Sequence, residues 1–179
     1  MRARWALVLL GVWLTGTVCV AVVATQNFYT VDRLLARRAT PAFNTIVDAQ
    51  GQPQAREFLR YLSSELNRVY FQLWNGVQVI LGWLVVGLIA RQRRAVRWLV
   101  AAMAIATVVV AAMTPEIVSL GRSLDFVPRD PPPPGVSRFW MLHGAYTALE
   151  MLKLVIGAIA TILLVHEPRA LPVETQRSF

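Results

Sequence analysis

The chain predicts an all-α integral membrane protein: four transmembrane helices, both termini cytoplasmic, and an amphipathic helix in the first outside loop. Three observations carry this expectation. Hydrophobic residues make up 56% and charged residues 16% of the 179 positions, well below the quarter or so of charged residues typical of a soluble domain. Four apolar stretches, at about 5–25, 69–90, 98–114 and 139–165, are long enough to cross a hydrocarbon core of about 30 Å. The surplus of basic residues, net charge +8, sits at the ends of those stretches, as membrane orientation requires, so no nucleic-acid partner is expected.

Met1-Arg2-Ala3-Arg4 precedes the first span, Trp5 to Thr25, which carries no charge. A cleaved leader is the rival reading of this segment, set aside because the apolar run exceeds the ~7–15 residues of a signal core. Gly11, Thr15 and Gly16 are small enough to admit a neighbouring helix or to face lipid. Cys19, the single cysteine, lies within this run, so an intrachain disulfide is excluded. Between 26 and 68, the first outside loop, charges of both signs return. Val31 to Arg38 can extend the first helix, and Thr40-Pro41 offers a new start, with threonine as cap and proline in the first turn. After the Gly51-Gln52-Pro53 break, Phe58, Leu59, Leu62, Leu66 and Val69 recur at three- and four-residue steps opposite Arg56, Arg60, Ser63, Ser64 and Asn67. That pattern predicts an amphipathic helix running into the second span, its apolar side on the membrane surface or on the bundle.

The second span holds Gln72, Asn75 and Gln78 in its first half. Arg68, Gln72, Asn75, Val79 and Gly82 fall on one helical face. The turn after it, Arg91-Gln92-Arg93-Arg94-Ala95-Val96-Arg97, has four arginines and no acid, which places it and Met1 to Arg4 on the cytoplasmic side. Trp98 to Thr114 is an uncharged third span with a structural role, and Pro115-Glu116 marks its exit. The second outside loop, 115–138, contains Pro131 to Pro134, a stiff extended spacer. The fourth span, Phe139 to Val165, returns the chain to the cytoplasm, where a short polar tail follows His166-Glu167-Pro168. Trp5 and Trp98 fall at the inner boundary and Trp140 at the outer one, as an aromatic belt requires.

The fourth span also carries the chemistry. At about 100° per residue, His143, Thr147, Glu150, Leu154, Gly157 and Thr161 share a face, with Tyr146 and Lys153 at its edge. A charge facing mid-bilayer lipid costs roughly 2.5–3.5 kcal/mol, so this stripe needs a partner. Glu150 and Lys153, three apart on a helix, are within reach of an ion pair. The face of the second span stands at a matching depth near the outer side. Arg68, Gln72, Asn75, His143, Tyr146, Glu150 and Lys153 are therefore the candidate ligand-binding residues, lining one polar cavity. The competing expectation is that they pair with one another and hold the bundle together.

Catalytic signatures are absent: the chain has no Gly-rich phosphate loop, no HExxH and no GxSxG. It also has no CxxC or Cys/His zinc pattern. His143 and His166 lie about 34 Å apart on one helix, so they cannot share a metal or haem. The expected function is non-enzymatic, an accessory or small-ligand-binding bundle of the inner (plasma) membrane that self-associates or joins a larger membrane complex. Two alternatives stand beside it: a haem- or metal-binding redox subunit using His143, and a small-solute or proton transporter using Glu150 and Lys153. No particular cofactor is implied.

Gly11-Val12-Trp13-Leu14-Thr15-Gly16, Tyr70-Phe71, Thr114-Pro115 and Phe139-Trp140-Met141-Leu142-His143 occur in an order that resembles the transmembrane-protein-205-like family of small four-span proteins, a bacterial domain of unknown function. The resemblance implies a four-helix membrane fold and does not extend to the four-proline loop. A looser likeness to copper-resistance and haem-related four-span proteins is consistent with the metal alternative.

Overall fold

The computed structural model describes residues 1–166. It contains five helices and, among the described residues, no strand: α1 (Arg2–Arg37), α2 (Pro41–Gln50), α3 (Gln52–Leu88), α4 (Arg94–Ser123) and α5 (Val136–Val165). The expected polar tail beyond His166 lies outside the described residues. Helices α1, α3, α4 and α5 are long and apolar enough to cross a membrane. They pack as a ring in which α1 touches α3 and α5, and α4 touches α3 and α5. Short connections between successive long helices make neighbours antiparallel, the up-down arrangement of a four-helix bundle. In every span less than half of the most apolar window is buried inside the protein. The remaining apolar surface, from Val8 on α1 through Ile105 on α4 to Ile162 on α5, needs a non-aqueous surround.

The inner core is split into a dry half and a polar half. Nearest Met1 and the arginine-rich turn, Ala6, Leu10, Leu81, Val85, Ile89, Val96, Val100, Ala160 and Leu164 form one apolar cluster that also holds Trp13 and Met103. Close approach there uses glycine. A Cβ at Gly157 would press into Leu14 and Met103, and one at Gly82 would come within 3.1 Å of the Trp13 ring. Gly16 likewise lies under Trp74, whereas Gly11 has open space around it; of these two glycines, only Gly16 admits a neighbour.

Between α1 and α3 the chain is helical almost throughout. Arg38 ends α1 in a left-handed conformation (φ 50°). Thr40 then caps α2 by accepting from the Phe43 amide, with Pro41 in the first turn. Gly51, at φ 86°, makes the break that a side chain would strain. Helix α2 packs on α3, where Phe43, Val47 and Leu59 cover Val31, Leu35 and Ala55 in a small second core.

Three details of α3 and α4 complete the fold. The stretch from Gln52 onward and the second span form one continuous helix, α3, about 55 Å long at 1.5 Å per residue. Apart from Leu59, which packs on the small second core, its apolar side turns away from the bundle. Phe58, Leu62, Leu66 and Val69 face outward, while Ala55, Ser63 and Asn67 are buried. Polar pairing explains the choice: Asn67 donates to the Ala24 carbonyl (3.0 Å) and accepts from Asn27 (2.7 Å), clasping α3 to α1. Finally, α4 continues through Pro115 to Ser123, so the helix runs on past the expected span exit at Pro115-Glu116. Pro115 costs the helix one backbone bond on an exposed side where no neighbour is displaced.

Candidate functional site

Lys153 organises the middle of the bundle. Its side chain is 3% exposed, and each ammonium proton has an acceptor: Glu150 Oε1 at 2.7 Å, Gln78 Oε1 at 2.8 Å and Thr107 Oγ1 at 3.3 Å. Gln78, wholly buried, also accepts from the Trp13 indole at 2.8 Å, and its amide nitrogen reaches Asn75 and Glu150, each at 3.4 Å. Asn75 continues the network by accepting from the Tyr146 hydroxyl (3.2 Å) and donating to Thr114 (2.7 Å). On α1, Thr17 accepts from the Trp74 indole at 3.2 Å. Every spanning helix thus contributes, and burying polar groups in this way is tolerable only because they satisfy one another. One atom is left over: Glu150 Oε2 is buried without a hydrogen-bond partner.

The expected stripes are therefore only partly brought together. Asn75, Tyr146, Glu150 and Lys153 meet. Arg68, Gln72 and His143 do not join that network. Lys153, Thr107, Gln78 and Trp13 stand near the midpoints of their spans, so the network occupies the middle of the bundle rather than a layer near one surface. Its cost in a membrane is offset by pairing, not avoided by shallow placement.

Gln72 is exposed beside a crevice of about 170 Å³ between α3 and α4. His143 is exposed as well, stacked on Phe139 with ring centroids 5.6 Å apart and edge-on to Trp140. Among the described residues no group of three His, Cys, Asp or Glu side chains could hold a metal ion. His143 brings a π-stacking partner to its ring, not a further ligand.

Sequence reasoning missed Trp13, Thr17, Trp74, Thr107 and Thr114 as network members. Their only signal was position: each stands on the inward face of its helix. Both α4 threonines also bond their own turn, to Met103 and Val110, which is how threonine normally sits in an apolar helix.

Arg68 belongs to a second cluster, where α3 meets the end of α4. Its guanidinium contacts both oxygens of Asp125 (3.1 and 2.8 Å) and Glu65 at 2.5 Å. Glu65 in turn takes two bonds from Arg122, at 3.1 and 2.9 Å. Those bonds from Arg122, reinforced by Arg68, hold the Glu65 carboxyl down at about 2. On the adjoining surface lies a concavity of about 600 Å³, walled by α3 from Pro53 to Arg68, by 124–129 and by Phe139 and Trp140.

No family model matches the chain, and no curated protein or solved structure matches it. The functional reading consequently rests on this geometry.

Proposed function

We propose that this is a non-catalytic, multi-pass protein of the inner (plasma) membrane that binds a small ligand in the cleft at the loop end of its bundle. The supporting observation is the division of labour between its two polar regions. The mid-bundle groups, Glu150 Oε2 apart, satisfy one another around Lys153, whereas the cleft is open, about 600 Å³ in volume and within the ~300–1,000 Å³ usual for ligand sites. In this reading Asn75, Tyr146, Glu150 and Lys153 pin the helices, and binding moves to the cleft beside Arg68. Both termini and the turn at Arg91–Arg97 face the cytoplasm. The cleft and the aqueous part of α3 then face the outside.

The test is extraction of the full chain from its native membrane in a gentle detergent, followed by mass-spectrometric identification of what accompanies it. Wild type is expected to carry a small molecule that is lost when the cleft is filled by Ser64→Trp; identical small-molecule profiles for the two overturn the reading. A larger assembly would show as protein partners retained by both.

The unpartnered oxygen of Glu150 favours one second reading, a proton carrier. It requires that proteoliposome proton flux fall when Glu150 becomes Gln, and unchanged flux rejects it.

A further inference from the structure

The cleft is amphipathic along its length, and we propose that its occupant is an anionic amphiphile, with an oxyanion headgroup on Arg56, Arg60 and Arg129 and an apolar chain along Phe126, Phe139 and Trp140. This rests on the cleft being a binding site and names the class of molecule bound there.

The arginines that line the cleft differ in what they have left to give. Arg68 is spent: its side chain is 11% exposed and committed to Asp125 and Glu65. Arg56 and Arg60 share one carboxylate, Asp32, at 3.0 Å each, and remain 54% and 49% exposed. Each guanidinium has five N–H donors in a planar fork, and the pairing with Asp32 uses only some of them. Arg129, also exposed, has no ion pair among the described residues. Of the two carboxylates on the wall, Asp125 is neutralised by Arg68, which leaves Glu57, with Asp32 behind the wall, against three arginines. The surplus is positive, and its fork geometry suits phosphate or carboxylate oxygens.

The other end of the cleft is apolar. Phe126 is 54% and Trp140 62% exposed, and Trp140 stands at the start of the α5 span, where an interfacial aromatic meets lipid. Arg60 lies two turns of α3 above Arg68, about 12 Å by the helical rise, with Arg56 one turn further. A bare oxyanion would occupy only the arginine end and leave the aromatic wall uncovered. A molecule with both parts covers both.

Binding of four probes to the purified full chain in nonionic detergent, measured by titration calorimetry, tests this: short-chain phosphatidylglycerol, phosphatidylcholine of equal chain length, decanoate and inorganic phosphate. Phosphatidylglycerol or decanoate should bind at least tenfold tighter than phosphatidylcholine, and whichever is tighter identifies phosphate or carboxylate as the preferred headgroup. The preference should collapse in Arg129→Gln, whose exposed loop position leaves the fold intact, and in the Arg56→Gln/Arg60→Gln pair. Equal affinity for the anionic and zwitterionic lipids overturns the headgroup assignment while leaving the cleft a binding site. Inorganic phosphate binding as tightly as phosphatidylglycerol overturns the amphiphile in favour of a soluble anion. No saturable binding of any probe overturns this proposal, and if Ser64→Trp also leaves the native small-molecule profile unchanged, the binding reading falls with it.

Discussion

Lys153 shows how a single side chain sets the internal order of the bundle. Its three donors are matched by acceptors on α3, α4 and its own helix, so removing it strands Glu150 in a buried site. Lys153→Met should destabilise by about 3–5 kcal/mol, the usual penalty for breaking a buried pair. The double variant Lys153→Met/Glu150→Leu should recover most of that loss, because no uncompensated charge remains. Unfolding titrations in mixed micelles measure both; a double variant as unstable as the single one would contradict the pairing role. Glycines divide in the same testable way. Gly16→Leu forces Trp74 to move and should cost about 1–3 kcal/mol. Gly76→Ala, at a position with open space, should be neutral or better, alanine being the stronger helix former by ~1 kcal/mol. The Glu150–Lys153 pair was legible from its spacing. Thr107 and Trp13 were not, because threonine and tryptophan are unremarked in apolar helices until the helix rotation selects their partners.

At the scale of elements, α3 and α4 are joined at two levels. Inside the bundle Asn75 bonds Thr114 directly and Lys153 bridges Gln78 to Thr107, and the Asp125–Arg68–Glu65–Arg122 chain closes the end. The second junction is pH-sensitive with a definite sign. The Glu65 carboxyl is held well below its ordinary 4.5, at about 2, so its contribution is complete above the ordinary value and is lost as pH falls towards 2. The thermal midpoint of the wild-type protein should therefore drop faster across that acidic window than that of Glu65→Gln; parallel curves would refute the coupling. Proline does not end α4. The helix runs on through Pro115, the expected span exit, because a proline costs an exposed helix only one bond and a local bend. In early α3 the polar side, not the apolar one, is turned inward: Asn67 is buried because α1 supplies its partners, and Ser63 because it bonds the Leu59 carbonyl of its own turn.

At the scale of the molecule, outward apolar surface on all four long helices calls for a bilayer, and the proposed orientation in it rests on the arginine distribution. Cys19 provides the control for a topology test. In a Cys19→Ala background, Pro132→Cys should react with a membrane-impermeant maleimide in intact cells and Arg91→Cys only after lysis; the reverse pattern would invert the proposed orientation. The sequence by itself determined that the chain is helical, that four stretches can span, and that Glu150 and Lys153 need compensation. Composition and local periodicity act within one helix, where the rise and turn are constant. Only the tertiary structure decided which polar residues meet, that Arg68, Gln72 and His143 stand apart from Lys153, and that the open cleft lies beside Arg68 at the loop end. Those outcomes depend on the rotation and depth of each helix against its neighbours, which are set by side-chain contacts between residues far apart in the chain.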